Sequence, residues 1–159
     1  MKSILFLKTV DIVVYPENFD TAVAAWEKML GAKAIPLKPE YNPQGKAKAA
    51  HIGLPPGEYA CHAVGIFTPT DEPAEDNERM RQHLAKHGEG VFLLAWMVDD
   101  LDKAQAEARA EGFPLAWDAP KDYAVGFHNF IAEHAPLQDI RMQLAVHKPG
   151  GLDQWRSGE

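Results

Sequence analysis

Two kinds of apolar pattern alternate along the chain. The first, a continuous or every-second-residue run suited to a strand, fills the N-terminus up to Val14 and returns over 91–98. Each run leads into a stretch where apolar residues recur every three to four positions, the spacing of a helix face. In the earlier helix Phe19, Ala22, Val23, Trp26, Met29 and Leu30 share a face that must cover a sheet, and Gly31 suits the left-handed residue that closes it. Asn18 and Asp100 stand where helix N-caps are wanted. Segment 9–31 is therefore repeated as 91–113, a strand followed by a helix each time.

Three shorter strand candidates follow each helix, divided by turn residues: 32–37, 46–54 and 60–68, then 115–118, 125–132 and 139–147. The order βαβββ is thus met twice. Between the halves an acidic, proline-containing stretch leads to a helix over 77–87, where Met80 and Leu84 sit four apart; it reads as a connector with a surface helix. The expected organisation is one domain over 1–148, with module one at 1–70, the connector at 71–88 and module two at 89–148, then a tail at 149–159.

Composition narrows the range of partners. With 159 residues, 46% apolar and 25% charged, the chain can build one domain with a real core, and two full domains are not expected. A net charge of -7, spread without lysine or arginine runs, argues against a nucleic-acid surface or an anionic membrane and leaves small molecules or proteins. Lys8 and Asp11 interrupt the N-terminal apolar run, which reads as a strand and not as a signal peptide. Nowhere are there the roughly 18 uninterrupted apolar residues of a membrane helix. The single cysteine, Cys61, excludes an internal disulfide and fits a reducing compartment, so a cytoplasmic protein is expected.

The stretch KHGEGVFLLAWMVDDLDKAQAEARAEGF, residues 86–113, resembles the start of the second module in methylmalonyl-CoA epimerases and other glyoxalase-like proteins of the vicinal oxygen chelate class. Segment 9–31, ending in Leu30 and Gly31, resembles the same family's opening strand and helix. The resemblance implies an α+β fold in which two βαβββ modules form curved mixed sheets around a cleft with helices on the outer face. It also implies a homodimer, since such scaffolds commonly pair through sheet edges. Metal-dependent members hold one divalent ion with four side chains on four strands. Those positions fall here on Asp11, Gly65, Leu93 and Gln143, and leucine and glycine offer no donor. The expectation is accordingly no metal cofactor. The alternative is one divalent ion on a displaced set, Asp11, His51 and Gln143, in a lyase, epimerase or dioxygenase of the same superfamily.

Strand alternation supports these placements without the family. Turning Asp11 to the cleft sends Val10, Ile12 and Val14 to the helix face; turning Leu93 there sends Phe92, Leu94, Trp96 and Val98 away; Gln143 facing in sends Ile140, Met142, Leu144 and Val146 out. The same parity brings Asp139 and Arg141 to the cleft, where Arg141 and Asp11 are candidates for a charge pair. That pair either serves a ligand, Arg141 holding an anionic oxygen while Asp11 moves a proton, or is purely structural. His51 faces the cleft if Ile52 and Leu54 face the helix, His128 has no clear parity, and His83 and His87 read as a solvated helix face. Cys61, Ala63, Gly65 and Ala95 beside Phe67, Leu93 and Met97 describe a roomy, mostly apolar pocket. The expected catalytic residues are Asp11, His51 and Arg141, and the expected ligand-binding residues Gly65, Phe67, Leu93, Met97 and Gln143. The function expected is binding of, or proton transfer on, a small apolar or aromatic compound with an anionic group.

Overall fold

The computed structural model describes residues 1–37, 46–53, 63–122, 126–132 and 139–149. Module one runs β1 (Ile4–Val13), α1 (Phe19–Leu30), β2 (Ala34–Pro36), β3 (Lys48–Gly53) and β4 (Ala63–Thr68). A connecting helix, α2 (Glu75–His87), leads to module two: β5 (Gly90–Val98), α3 (Leu101–Ala110), β6 (Lys121–Asp122), β7 (Gly126–Ile131) and β8 (Arg141–His147). The repeated βαβββ order is present. All eight strands form one mixed, open sheet in the order β2-β3-β4-β1-β5-β8-β7-β6, the modules joining where β1 pairs antiparallel with β5. Within each module the first and last strands pair in parallel, β1 with β4 and β5 with β8.

One face of this sheet is covered by the two module helices. Phe19 of α1, with Ala22, Val23, Trp26 and Leu30, packs on Val14, Ala50, Ile52, Val64 and Ile66. On α3, Leu101, Ala104 and Ala108 pack on Val98, Ile131 and Leu144, the small alanines letting the helix lie close to the strands. Gly31 closes α1 in the left-handed conformation at φ 65°, where a β-carbon is strained. Asp100 caps α3, its side chain accepting from the Lys103 backbone N–H at 2.9 Å.

Asn18 takes the N-cap position of α1 as expected but makes no side-chain capping bond: its side-chain amide donates to Glu89 at 2.8 Å, tying the two modules together. Met29 lies outside the apolar face and is 64% exposed, because its neighbours already fill the contact with the sheet. The strand expected at 115–118 is displaced to β6, and Leu115 makes only an isolated bridge to Ile131. Most important for function, α2 is no plain surface helix. It buries Asn77, Met80 and Leu84, and Met80 and Leu84 join Val13, Ala49 and Phe67 on the sheet face opposite α1 and α3. Among the described residues no helix is long and apolar enough to cross a membrane.

Candidate functional site

Register places five of the expected site residues on one line across the sheet. His51 pairs with Gly65, Gly65 with Asp11, Asp11 with Leu93, and Leu93 with Arg141. Gln143 lies two residue pairs along, opposite Ala95 and Phe130. Apart from Gly65, which does not itself line it, this line is the floor of a cavity of about 690 Å³, whose lining includes Asp11, His51, Phe67, Leu93, Arg141 and Gln143, with α2 as its wall. Met97 has the same parity as Leu93 and Ala95 but is not among the lining residues. Gly65 leaves room for its neighbour: a β-carbon there would come within 2.3 Å of Asp11 Oδ1 and 2.7 Å of the Phe67 ring. The Asp11 side chain thus leans across β4.

Two β-bulges add side chains that simple alternation excludes. Along β1, Leu7 pairs with Trp96 and Thr9 with Ala95, so Lys8 is an extra residue on its strand, and both Lys8 and Thr9 line the cavity. Along β5, Leu93 pairs with Asp11 and Val91 with Ile12, leaving Phe92 as the extra residue. Phe92 was expected on the helix face. Instead it lines the cavity beside Phe67, ring centroids 5.5 Å apart and edge to face. Lys8 was missed altogether as a site residue; the signal available in the sequence was a lysine inside an otherwise apolar strand.

The expected pairing of Asp11 with Arg141 is not formed. Leu93 stands between them on the line, and Arg141 Nη1 meets Asp76 Oδ1 of α2 at 3.2 Å while its guanidinium stacks on Phe130 at 3.8 Å. Asp11 instead interacts with Lys8. Burial raises the Asp11 carboxyl to about 7, against the Lys8 charge and a Thr9 hydrogen bond, which lower it. Burial lowers the Lys8 amine to about 8, with Asp11 opposing. His51 Nε2 lies 3.8 Å from Asp11 Oδ1, but burial and the Lys8 cation bring its pKa down to about 3. The imidazole is therefore neutral, and the contact is neither an ion pair nor a hydrogen bond.

The far side of the cavity is built by module two. His128, whose parity was unassigned, faces in, and burial with Lys8, Arg141 and Lys121 lowers it to about 3. Its strand is held by Asn129, whose amide donates to Gln105 of α3 at 2.7 Å and to the Trp117 carbonyl at 3.0 Å. His83 and His87 of α2 both line the cavity; His87 is exposed, as expected of a solvated face, while His83 is half-buried, and His87 with Lys86 contacts Asp139 just before β8. Cys61 and His62 lie outside the described residues.

The four positions that hold an ion in metal-dependent relatives do not fit one here. Leu93 has no donor, the place of a Gly65 side chain is taken by the Asp11 carboxyl itself, and the charge of the buried Lys8 acts on that carboxyl. For the displaced set, Gln143 lies two strands over from Asp11 and two residue pairs away from the line of Asp11 and His51. Among the described residues no three His, Cys, Asp or Glu side chains group as a metal site.

Residues 10–131 match the family described as Glyoxalase/Bleomycin resistance protein/Dioxygenase superfamily. Among solved structures, methylmalonyl-CoA epimerase from Mycobacterium tuberculosis is similar with a TM-score of 0.72 and 22% identity, over 95% of this chain and 93% of that one. A Streptomyces coelicolor methylmalonyl-CoA epimerase variant in complex with 2-nitronate-propionyl-CoA gives 0.71 and 19%, over 92% of this chain and 100% of that one. A hypothetical protein from Bacillus halodurans C-125 gives 0.66 and 18%, over 90% and 94%. At these identities the likeness is one of fold. Comparison with curated proteins gives no match.

Proposed function

The chain belongs to the Glyoxalase/Bleomycin resistance protein/Dioxygenase superfamily, and within it we propose a metal-independent protein that binds a small apolar or aromatic anion and moves a proton on it. The observation that carries this reading is the order Asp11, Leu93, Arg141 across the cavity floor. Two strand spacings separate the carboxyl from the guanidinium row, roughly 10 Å, which is the length of a small organic molecule. An apolar body would rest on Leu93 between the rings of Phe67, Phe92 and Phe130, with its anionic group toward Arg141 and its exchangeable proton over Asp11.

Asp11 suits the proton step because its carboxyl changes state near neutrality, where a general acid or base is most effective. His51 and His128, neutral through the same range, offer hydrogen bonds without adding charge. Lys8 supplies positive charge beside Asp11, and that charge disfavours a divalent ion there.

A thermal-shift series with matched carboxylic acids and amides, including a CoA thioester because the fold neighbours are methylmalonyl-CoA epimerases, tests the reading. Acids are expected to stabilise the protein more than their amides, and Arg141→Met to erase that difference while leaving neutral compounds nearly unaffected. Chelator treatment followed by Zn²⁺, Ni²⁺, Mn²⁺ or Fe²⁺ should leave the melting temperature unchanged. A metal-linked rise in stability would refute metal independence and point to the displaced ligand set.

A further inference from the structure

Proton transfer between Asp11 and a bound anion uses Lys8 only as a charge, yet its amine is a nucleophile on the cavity floor. The β1 bulge turns Lys8 inward beside Thr9, it is 9% exposed, and its side chain still reaches the cavity. Asp11 on the same strand, His51 on β3, His128 on β7 and Arg141 on β8 are the titratable or charged groups of the sheet that share the cavity with it.

We propose that Lys8 captures carbonyl compounds covalently, forming an imine with a small aldehyde or ketone that carries an anionic group. The neutral amine nitrogen attacks the carbonyl carbon, a C–N bond forms, and the C=O π pair moves onto oxygen. That oxygen takes up a proton and the nitrogen gives one up, with the Asp11 carboxyl as the relay, to give a carbinolamine. Asp11 in its acid form then protonates the hydroxyl, which leaves as water as the C=N bond forms, and the resulting carboxylate takes the remaining nitrogen proton. Amine and carbonyl are converted to imine and water, with no change of oxidation state.

Three features support the capture. An ammonium cannot attack a carbonyl, and a solvated lysine is almost wholly ammonium at neutral pH, whereas burial lowers Lys8 to about 8. A proton relay is needed in both halves of the reaction, and the Asp11 carboxyl lines the same cavity three residues along β1. The partly apolar enclosure, with Phe67 and Leu93 on it, restrains hydrolysis of the product. The choice of an anionic carbonyl compound rests on the reading of Arg141 given above; the capture itself does not.

The test is reductive trapping on the full chain near neutral pH, with glyoxylate as the anionic probe, propionaldehyde as a neutral one, and cyanoborohydride to fix the imine. Peptide mass spectrometry then compares Lys8 with Lys33, whose side chain is 90% exposed. Glyoxylate is expected to label Lys8 at least about tenfold faster than Lys33, since the neutral fraction of a lysine grows about tenfold per unit fall in pKa. Labelling should saturate with glyoxylate concentration, and Lys8→Arg should remove the fast phase. Because the comparison of two lysines is made within the wild-type chain, it does not depend on that variant folding. Lys8 labelled no faster than Lys33 by either probe overturns the capture and leaves the acid-versus-amide series to judge the proposed function. Fast labelling of Lys8 without preference for glyoxylate supports the capture and overturns the role given to Arg141.

Discussion

Asp11 is where the consequences of single residues are sharpest. An unfolded aspartate ionises near the ordinary 3.8, while the folded carboxyl keeps its proton up to about 7. Between these values the unfolded state has released a proton that the folded state retains, so this residue's contribution to stability falls as pH rises, by about 1 kcal/mol per pH unit, and levels off above the folded pKa. His51 and His128 act in the opposite sense. They stay neutral in the fold down to about 3 while their unfolded forms protonate below 6.5, so their contribution is lost as pH falls through that range. Asp11→Asn removes only the first effect. The variant's stability relative to wild type should therefore grow between about pH 4 and pH 7 and then remain constant, as measured by denaturant midpoints at several pH values. An advantage at about pH 8 no larger than at about pH 5 would mean that Asp11 sits in water.

Elements decide which of these side chains meet. Helix α2 closes the cavity over module one through Met80 and Leu84, and its first turn places Asp76 on Arg141. Asp76 therefore occupies the guanidinium in the way a ligand's carboxylate would. The Arg141 side chain is 6% exposed and Asp76 32%, so the pair is partly wet, and breaking it from the acidic side should cost about 1 to 2 kcal/mol. Asp76→Asn is expected to lower the melting temperature of the unliganded protein and to enlarge the shift produced by carboxylic acids, with amides unchanged. If acids gain nothing in the variant, the anion does not bind at Arg141. The two bulges belong to this scale as well, since each inserts one residue into a ladder and turns Lys8 or Phe92 toward the cavity.

At the scale of the molecule, joining β1 to β5 makes one sheet from two modules and leaves β2 and β6 at its ends. Among the described residues these edge strands have three and two residues, and β2 ends in Pro36, so backbone pairing between chains has little to build on there. We still propose a homodimer, with side-chain contacts doing more than edge pairing; Leu5 at 58% and Phe127 at 42% exposure are apolar groups available for it. Light scattering at roughly tens of micromolar should return twice the chain mass, and a monomer at that concentration would reject the proposal.

The sequence by itself determined the modular order and the main site line. Both follow from local periodicities: apolar spacing marks strand or helix, and alternation assigns His51, Asp11, Leu93 and Gln143 to one face whatever lies across the sheet. The donor-poor character of the metal positions was legible too, because Leu93 and Gly65 lack donors in any conformation. Only the tertiary structure decided the rest. A bulge is a relation between two strands, so nothing within β1 announces that Lys8 turns inward, and nothing within β5 announces it for Phe92. Arg141 is paired by a residue 65 positions away on a helix whose own pattern reads as solvated, because the apolar pair Met80 and Leu84 is too small a signal to show that α2 lies over the cavity. The raised Asp11 and lowered Lys8 pKa values come from burial that the whole sheet and α2 create together, and no single segment of the chain contains that burial.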